Sequence, residues 1–222
     1  TPLYSSAASD VYKRQQDNGF QKCKILNKAI VKTNSDYLLF TDGDCIPRED
    51  FVAQHIKYKQ KGFFLSGGYF KLPIDISNKI SEENIRSQDC FSIQWLINNG
   101  VSKSFKLSKL IKIRFFAPFM NWLTPTKPTF NGHNTSCFKD DLININGFNE
   151  EMQYGGLDRE VGERLFNNDI FSKQIRYSAV CLHLDHNRGY SSSESWKKNN
   201  EIRKYNRKNK ITQIKNGINK YD

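Results

Sequence analysis

The sequence predicts an α/β fold in which a mixed sheet is flanked by helices. Helical and extended patterns alternate along the first seventy residues, and this alternation is typical of α/β domains. Residues 20–32 carry apolar side chains at helical spacing, and Tyr37–Phe40 is a short apolar run typical of a buried strand. Pro47 and Asp50 open a second helix, and residues 63–65 form the next strand candidate.

The rest of the chain continues this pattern less regularly. The predicted elements beyond residue 66 are helices over 81–99, 139–145 and 156–168, and strands within 130–138 and over 174–182. Residues 101–123 form a basic amphipathic stretch in which Lys and Arg alternate with Phe, Leu and Ile. Pro118, Pro125 and Pro128 predict a loop after it.

The chain divides into three regions by composition. Residues 1–15 lack periodicity and differ in character from the rest of the chain, so they are interpreted as a non-native leader and excluded from the fold. Residues 16–192 are long enough to bury one sizeable core and form the main domain. Residues 193–222 are rich in Lys, Arg and Asn with sparse apolar positions, which predicts a basic helical tail with a solvated face.

Bulk properties narrow the functional class. The net charge of +11 favours polyanionic partners such as nucleic acid, anionic lipid or phosphorylated substrates. No apolar run is long enough for a membrane span, and no signal-peptide pattern is present, so a cytoplasmic protein is expected. The five cysteines are scattered without a C-x-x-C pair, which argues against a disulfide framework or a zinc ribbon and predicts reduced, buried thiols.

An acidic turn comes directly after the first predicted strand. Asp42 and Asp44 flank Gly43, so two carboxylates on a tight turn can face one divalent cation and a diphosphate. Ligand sites of α/β sheets lie at the carboxyl ends of strands, where this turn falls. The alternative is an ordinary polar turn, because short D-x-D patterns also arise by chance.

Two further motifs carry candidate chemistry. Gly155 and Gly156 precede a helix whose backbone N–H groups suit an anion, and Asp158 in its first turn could take a proton from an attacking hydroxyl. The alternative is an acidic helix N-terminus that complements the dipole. His183 and His186 come after an apolar strand and can converge on one metal if the chain turns there, although isolated histidines are usually structural. Asp and His together favour Mn²⁺ over Mg²⁺.

These motifs, in this order, resemble the glycosyltransferase family 2 enzymes with a GT-A fold. The similarity is greatest to the branch of the chondroitin-polymerase N-terminal domain and the β-1,4-galactosyltransferases. It covers about residues 16–190 and is carried by segments 24–30, 37–47, 130–134, 146–150, 154–165 and 181–188. The resemblance implies one-step inverting transfer from a UDP-sugar, with galactose or N-acetylgalactosamine suggested by the branch. It further implies a saccharide or lipid-linked acceptor, surface polysaccharide assembly, and Mn²⁺ or Mg²⁺ as cofactor.

The resemblance also implies roles for individual residues. Asp42 resembles the residue near the donor ribose or sugar, Asp44 the direct metal ligand, and Asp158 the catalytic base. His186 matches the family's metal histidine best, with His183 at a second ligand position. The remaining implied positions are Gly43, Asn131, Gly132 and Asn134 at the donor, Asn27 packed under the nucleotide site, and Gly155, Gly156 and Leu157 on the acceptor side.

Two departures from the family pattern qualify these implications. Leu157 stands where many relatives have Glu, which affects the expected acceptor contacts. The family's first strand, with its pyrimidine-binding turn, is not found within residues 1–20. Recognition of the donor base is therefore expected to be incomplete in this chain.

The alternative function is a basic module that binds nucleic acid or a membrane surface without catalysis. Nucleic acid is disfavoured because the sequence carries no recognised binding motif. The basic amphipathic stretch at 101–123 suits peripheral contact with anionic lipid at the inner face of the plasma membrane. Its apolar residues could equally pack into the core or cover the acceptor cleft.

Overall fold

The computed structural model describes residues 19–186 and 191–221. The predicted leader lies outside the described residues, as do Asn187 and Arg188 of the segment that carries the family resemblance. The helices are α1 (Lys22–Lys32), α2 (Phe51–Tyr58), α3 (Ile74–Ser77), α4 (Glu82–Ser87), α5 (Ile93–Asn98), α6 (Phe116–Leu123), α7 (Lys139–Asn144), α8 (Leu157–Asn167) and α9 (Ser193–Lys208). The strands are β1 (Tyr37–Phe40), β2 (Cys45–Pro47), β3 (Phe63–Ser66), β4 (Gly68–Lys71), β5 (Thr135–Phe138), β6 (Phe171–Gln174) and β7 (Val180–His183).

The strands form two mixed sheets rather than the single sheet that the sequence predicts. The larger sheet has the order β1-β5-β3-β6, in which β5 is antiparallel to both neighbours and β3 is parallel to β6. The smaller sheet has the order β2-β7-β4, with β2 antiparallel and β4 parallel to β7. Mixed sheets flanked by helices confirm the α/β class.

Separate apolar cores stabilise the two sheets. Phe64, Phe130 and Phe148 are fully buried beneath α1, α7 and α8, and their rings meet edge-on or tilted. Leu72 and Leu96 belong to a second core that joins the smaller sheet to α3 and α5. Burying each such side chain contributes about 1.5–3 kcal/mol before the cost of ordering it.

Two predicted elements differ from the structure because the chain turns within them. The strand predicted over 174–182 is two strands in different sheets, separated by a turn in which Ser178 N–H bonds the carbonyl of Ile175. The helix predicted over 81–99 is interrupted at Gln88, whose φ is 64°, and α5 begins afresh on a cap from Ser92. Apolar spacing continues through both turns, so periodicity alone misses them.

The loop predicted from Pro118 onward is wrong at Pro118 itself, which is helical. The residue lies in the first turn of α6, where a proline is tolerated because its missing N–H has no intrahelical partner. The loop therefore begins only at Thr124.

Among the described residues, no helix has both the length and the apolar character needed to cross a bilayer.

Of the tail predicted to be helical over 193–222, the described residues form an α-helix only over Ser193–Lys208, where α9 packs along α8, and Ile218 beyond it is buried in the core of the larger sheet. The inward residues of α9 are polar: Asn199 donates to the carbonyls of residues 153–155, and Asn206 donates to the carboxylate of Glu160. Its basic residues remain largely exposed.

The five cysteines are buried and unpaired, as predicted.

Strand pairing brings distant motifs to one edge of the sheets. Phe40 at the end of β1 is paired with Thr135 at the start of β5, so residues 41–44 and 131–134 leave the sheet side by side. Cys45 is paired with His183 across the smaller sheet. Leu184 N–H then bonds the carbonyl of Asp44 at 2.9 Å, which fixes the acidic turn beside the predicted metal histidines.

Candidate active site

A cavity of about 590 Å³ opens at this edge of the sheets. Its volume falls within the range of small-molecule sites in proteins, about 300–1,000 Å³. The residues that line it are Phe20, Lys22, Asp42, Gly43, Asp44, Asn131, His133, Tyr154, Gly155, Gly156, Leu157, Asp158, Arg159, His183, His186 and Trp196. The acidic turn, the double-glycine helix start and the histidine pair therefore all contribute to one cavity.

Asp44 and the two predicted metal histidines meet on one side of the cavity. Asp44 Oδ2 lies 2.7 Å from His186 Nε2 and 3.5 Å from His183 Nε2. The two imidazole rings are nearly parallel, with centroids 6.3 Å apart. Donors that bind one cation at about 2.1 Å lie about 3 Å apart when they approach it at right angles. Both distances to Asp44 are close to this spacing, and the donor atoms that all lie within 4.8 Å of one another are those of Asp44, Cys45 and His183.

Cys45 adjoins this group, with its thiol within 4.8 Å of donor atoms of Asp44 and His183. A hydrogen bond with the Cys181 thiol, together with burial, raises the pKa of Cys45 well above its usual range. A thiol must lose its proton to bind a metal ion. The candidate donors are a carboxylate oxygen, two imidazole nitrogens and this thiol, and the nitrogen donors suit Mn²⁺ better than Mg²⁺.

Lys22, at the start of α1, supplies a cation that no sequence motif predicted. Its ammonium bonds Asp42 Oδ1 at 2.5 Å. Burial lowers the pKa of Lys22, but the carboxylates of Asp158, Asp42 and Asp44 outweigh this effect and raise it overall. The side chain therefore stays charged among three carboxylates. No local pattern marks it, because a lysine at a helix start is ordinary.

Asp158 lies in the first turn of α8 with one oxygen left unsatisfied. Its Oδ1 is buried and has no hydrogen-bond partner among the described residues. Burial raises the pKa of Asp158 against the opposing effects of Lys22 and the Gly132 N–H. A Cβ at Gly132 would lie 2.8 Å from Asp158 Oδ1, so this position must stay glycine for the carboxylate to approach the backbone. The arrangement leaves an oxygen able to accept a proton.

His133 is a second cavity residue to which the sequence assigned no role. Its Nε2 is buried and has no hydrogen-bond partner among the described residues. Burial is the main cause that lowers the pKa of His133 to about 4, so the imidazole is neutral at physiological pH. The ring packs edge-on against Tyr69 at 4.7 Å and lies 6.0 Å from the His183 ring. It can therefore donate to or accept from a ligand without adding charge.

Trp196 brings α9 into the cavity. A Cβ at Gly155, where φ is 106°, would lie 2.7 Å from the indole ring, so only glycine allows this stacking on the backbone. Tyr154 meets the indole edge-on at 6.4 Å, and Phe20 meets Tyr154 at 5.7 Å. These rings form an apolar rim on the side predicted to face the acceptor, beside Leu157.

Three residues predicted at the donor site do not line the cavity. Asn27 is fully buried, and its amide exchanges hydrogen bonds of 2.8 Å with the backbone of Phe148. Asn134 is fully buried between the carbonyl of Gly68 and the imidazole of His55. Gly132 instead contacts Asp158 through its backbone. The predicted contact of Asn134 with the donor sugar is corrected to support of the loop backbone, because protein partners occupy both ends of its amide.

The chain matches no protein-family model, and no curated protein matches it either. Its function is therefore inferred from the residues of the cavity. Strand pairing joins the Asp-Gly-Asp turn to the histidine pair, and α8 adds a buried carboxylate.

Proposed function

We propose that the chain is a metal-dependent, inverting glycosyltransferase of the GT-A type. The observation that carries the proposal is the convergence of Asp44, two histidines and the unsatisfied Asp158 on one cavity of substrate size. Buried, strongly perturbed carboxylates in a cleft are more common at functional sites than elsewhere. A UDP-sugar would be the donor, and a saccharide or lipid-linked hydroxyl the acceptor.

Asp44, His183 and His186 would hold Mn²⁺, or Mg²⁺ with weaker preference. The ion would offset the negative charge of a leaving diphosphate. Lys22 adds a fixed positive charge beside Asp42, so the acidic turn can approach a diphosphate with less repulsion. Gly43 leaves the turn without a side chain at its centre.

Asp158 would act as the base. The acceptor oxygen bonds the anomeric carbon as the bond to the diphosphate oxygen breaks, and Asp158 takes the hydroxyl proton. Its orphaned Oδ1 is available for that proton, and its raised pKa strengthens it as a base. The aromatic rim of Tyr154 and Trp196 would exclude water from the acceptor side.

The family that the motifs resemble suggests which donors to test first. UDP-galactose and UDP-N-acetylgalactosamine are suggested by the branch that the sequence resembles, and surface polysaccharide assembly at the cytoplasmic side of a membrane is the proposed setting. Leu157 lies on the acceptor side in place of the glutamate common in relatives. An acceptor contact that depends on that carboxylate is therefore not part of the proposal.

Calorimetric titration of UDP with and without Mn²⁺ tests the proposal. We expect binding that requires Mn²⁺ and weakens at least about tenfold in Asp44→Asn, because loss of a metal ligand removes the ion that contacts the diphosphate. Asp140→Asn is the matched control, since this exposed carboxylate in the first turn of α7 does not line the cavity. Absence of UDP binding, or equal binding without Mn²⁺ and in Asp44→Asn, would contradict the proposal.

A further inference from the structure

Helix α6 presents aromatic side chains to solvent along one side. Phe115, Phe119, Trp122 and Leu123 are 75%, 53%, 80% and 51% exposed. The first three are spaced at intervals of four and three residues, which places them on the same side of a helix. The rings of Phe119 and Trp122 lie 6.1 Å apart. We call these four residues the aromatic face.

The opposite side of α6 fixes the helix to the domain. Met120 is buried, and the Phe116 ring packs edge-on against Tyr177 at 6.3 Å. Asn121 donates to the Ser178 hydroxyl and accepts from the Tyr177 N–H. The aromatic face is therefore held outward by packing and hydrogen bonds on the other side. The alternative of core packing holds for part of the basic amphipathic stretch, since Leu110 is buried in the second core, whereas Phe105 and the aromatic face are exposed.

The chain segment that carries the aromatic face is basic and contains no acidic residue. Residues 101–129 contain five lysines and one arginine, and no aspartate or glutamate. Lys103, Lys106 and Arg114 are exposed, as are the apolar side chains of Phe105 and Ile113 between them. Lys112 is also exposed and pairs with Glu49 from outside the segment. The segment therefore exposes both apolar and positively charged side chains.

We propose that this surface binds an anionic lipid bilayer peripherally. Tryptophan and phenylalanine insert at the boundary between headgroups and acyl chains, and lysine and arginine contact anionic headgroups. Charge complementarity favours lipid over a second copy of the chain, because two copies would juxtapose like charges. An eight-residue helix can lie in this interface but is too short to cross it.

The proposed surface is connected to the cavity. Residues 124–131 run from the end of α6 to Asn131 on the cavity wall. A groove of about 110 Å³ along this loop is lined by Asn131 and by the cations Lys109, Lys127 and Arg176. Under the proposed function, this groove would admit the phosphate of a lipid-linked acceptor. That step rests on the proposed function, whereas bilayer binding does not.

Vesicle co-sedimentation tests bilayer binding without UDP or metal. We expect the wild-type chain to sediment with phosphatidylcholine vesicles that contain phosphatidylglycerol and to stay in solution with phosphatidylcholine alone. Phe119→Ser with Trp122→Ser should weaken the partition coefficient at least about tenfold, since both side chains lose their apolar burial. Lys106→Gln with Arg114→Gln should weaken it about 25-fold at low salt, about fivefold for each charge.

Matched controls separate the surface from general effects. Ile143→Ser with Tyr205→Ser removes two exposed apolar side chains from α7 and α9, and Lys204→Gln with Lys208→Gln removes two exposed charges from α9. Both controls should bind vesicles like wild type. Lipid should also shift tryptophan emission to shorter wavelength, and Trp122→Phe should abolish that shift.

Several results would overturn the proposal. They are equal binding to neutral and anionic vesicles, no binding to either, and wild-type binding by the aromatic or basic variants. Self-association that depends on Phe119 and Trp122, without lipid binding, would assign the face to a second copy instead. None of these results bears on UDP binding, so this inference and the proposed function can fail separately.

Discussion

The first turn of α8 carries two carboxylates with opposite surroundings, Glu160, which is fully buried, and Asp158, which is half-buried. Glu160 accepts from Arg164 Nε at 2.7 Å, from Arg164 Nη2 at 2.8 Å and from Asn206 at 2.7 Å. Asp158, two residues earlier, receives the Gly132 N–H but leaves Oδ1 buried without a partner among the described residues. One carboxylate completes an internal network, and the other lines a cavity.

This difference separates a structural carboxylate from a candidate functional one. Buried polar groups are nearly always satisfied, because leaving one unpaired costs about 1–3 kcal/mol. The Glu160 network obeys that rule and ties α8 to α9 and to the carbonyls of Ile145 and Gly147. The exception at Asp158 is expected where a ligand supplies the missing partner.

Asp158→Asn gives the largest expected effect on activity. Turnover should fall about 10²–10⁴-fold, because amide nitrogen and oxygen cannot accept the hydroxyl proton as a carboxylate does. UDP binding with Mn²⁺ should stay nearly unchanged. Steady-state kinetics alongside calorimetry measures both. Asp140→Asn, on the exposed first turn of α7, is the control and should behave like wild type. Equal loss of turnover and of UDP binding in Asp158→Asn would remove Asp158 from the role of base.

Arg164→Met tests the structural role of Glu160, because it removes the cation that pairs with this carboxylate. The free energy of unfolding should fall by about 3–5 kcal/mol, because Glu160 becomes a buried charge without its cation. Glu82 and Arg86 form the same i,i+4 pair on the exposed surface of α4, so Arg86→Met should cost less than about 1 kcal/mol. Urea denaturation of both variants gives the two values. Similar costs for the two pairs would show that burial does not distinguish them.

A smaller effect concerns the pH dependence of stability. The folded protein raises the pKa of Asp158, so it holds this proton more tightly than the unfolded chain does. The ionised group therefore opposes folding above its unfolded pKa, and this cost disappears as pH falls through the raised folded pKa. The charged groups around it are Lys22, Asp42 and Arg159.

Asp158→Asn cannot ionise, so the difference from wild type isolates this carboxylate. The stability of the variant relative to wild type should increase with pH across the acidic range. Urea denaturation at a series of pH values measures it without donor, acceptor or metal. A difference that is flat or falls with rising pH would show that the pKa of Asp158 is not raised. Asp140→Asn again serves as control.

Much of the local structure was predictable from the sequence. Strand β1 and helices α1 and α8 lie close to where their apolar spacing and end signals predicted them. These elements succeed because their periodicity is continuous and the residues at their ends break it. The strand predicted over 174–182 failed for the converse reason, since its apolar pattern runs through a turn between two sheets.

The motif residues were predictable and their assembly was not. Asp42, Asp44, Asp158, His183 and His186 stand in recognisable local patterns, and the structure brings all five to one cavity. Lys22, His133 and Trp196 join them from ordinary contexts that no local pattern distinguishes. Residues 101–123 were predicted to be basic and amphipathic, but the outward direction of the aromatic face depends on how Met120 and Asn121 fix α6.

The sequence by itself determined which segments are helical or extended and which side chains could carry chemistry. Backbone preference and apolar period act over a few residues, so both can be read locally. Only the tertiary structure decided that Cys45 lies opposite His183 in the register of the smaller sheet and that Trp122 faces solvent. It also decided that Asp158 Oδ1 lacks a hydrogen-bond partner among the described residues, whereas Glu160 accepts three hydrogen bonds. Strand register, burial and hydrogen-bond satisfaction depend on residues far apart in the chain, which no local pattern records.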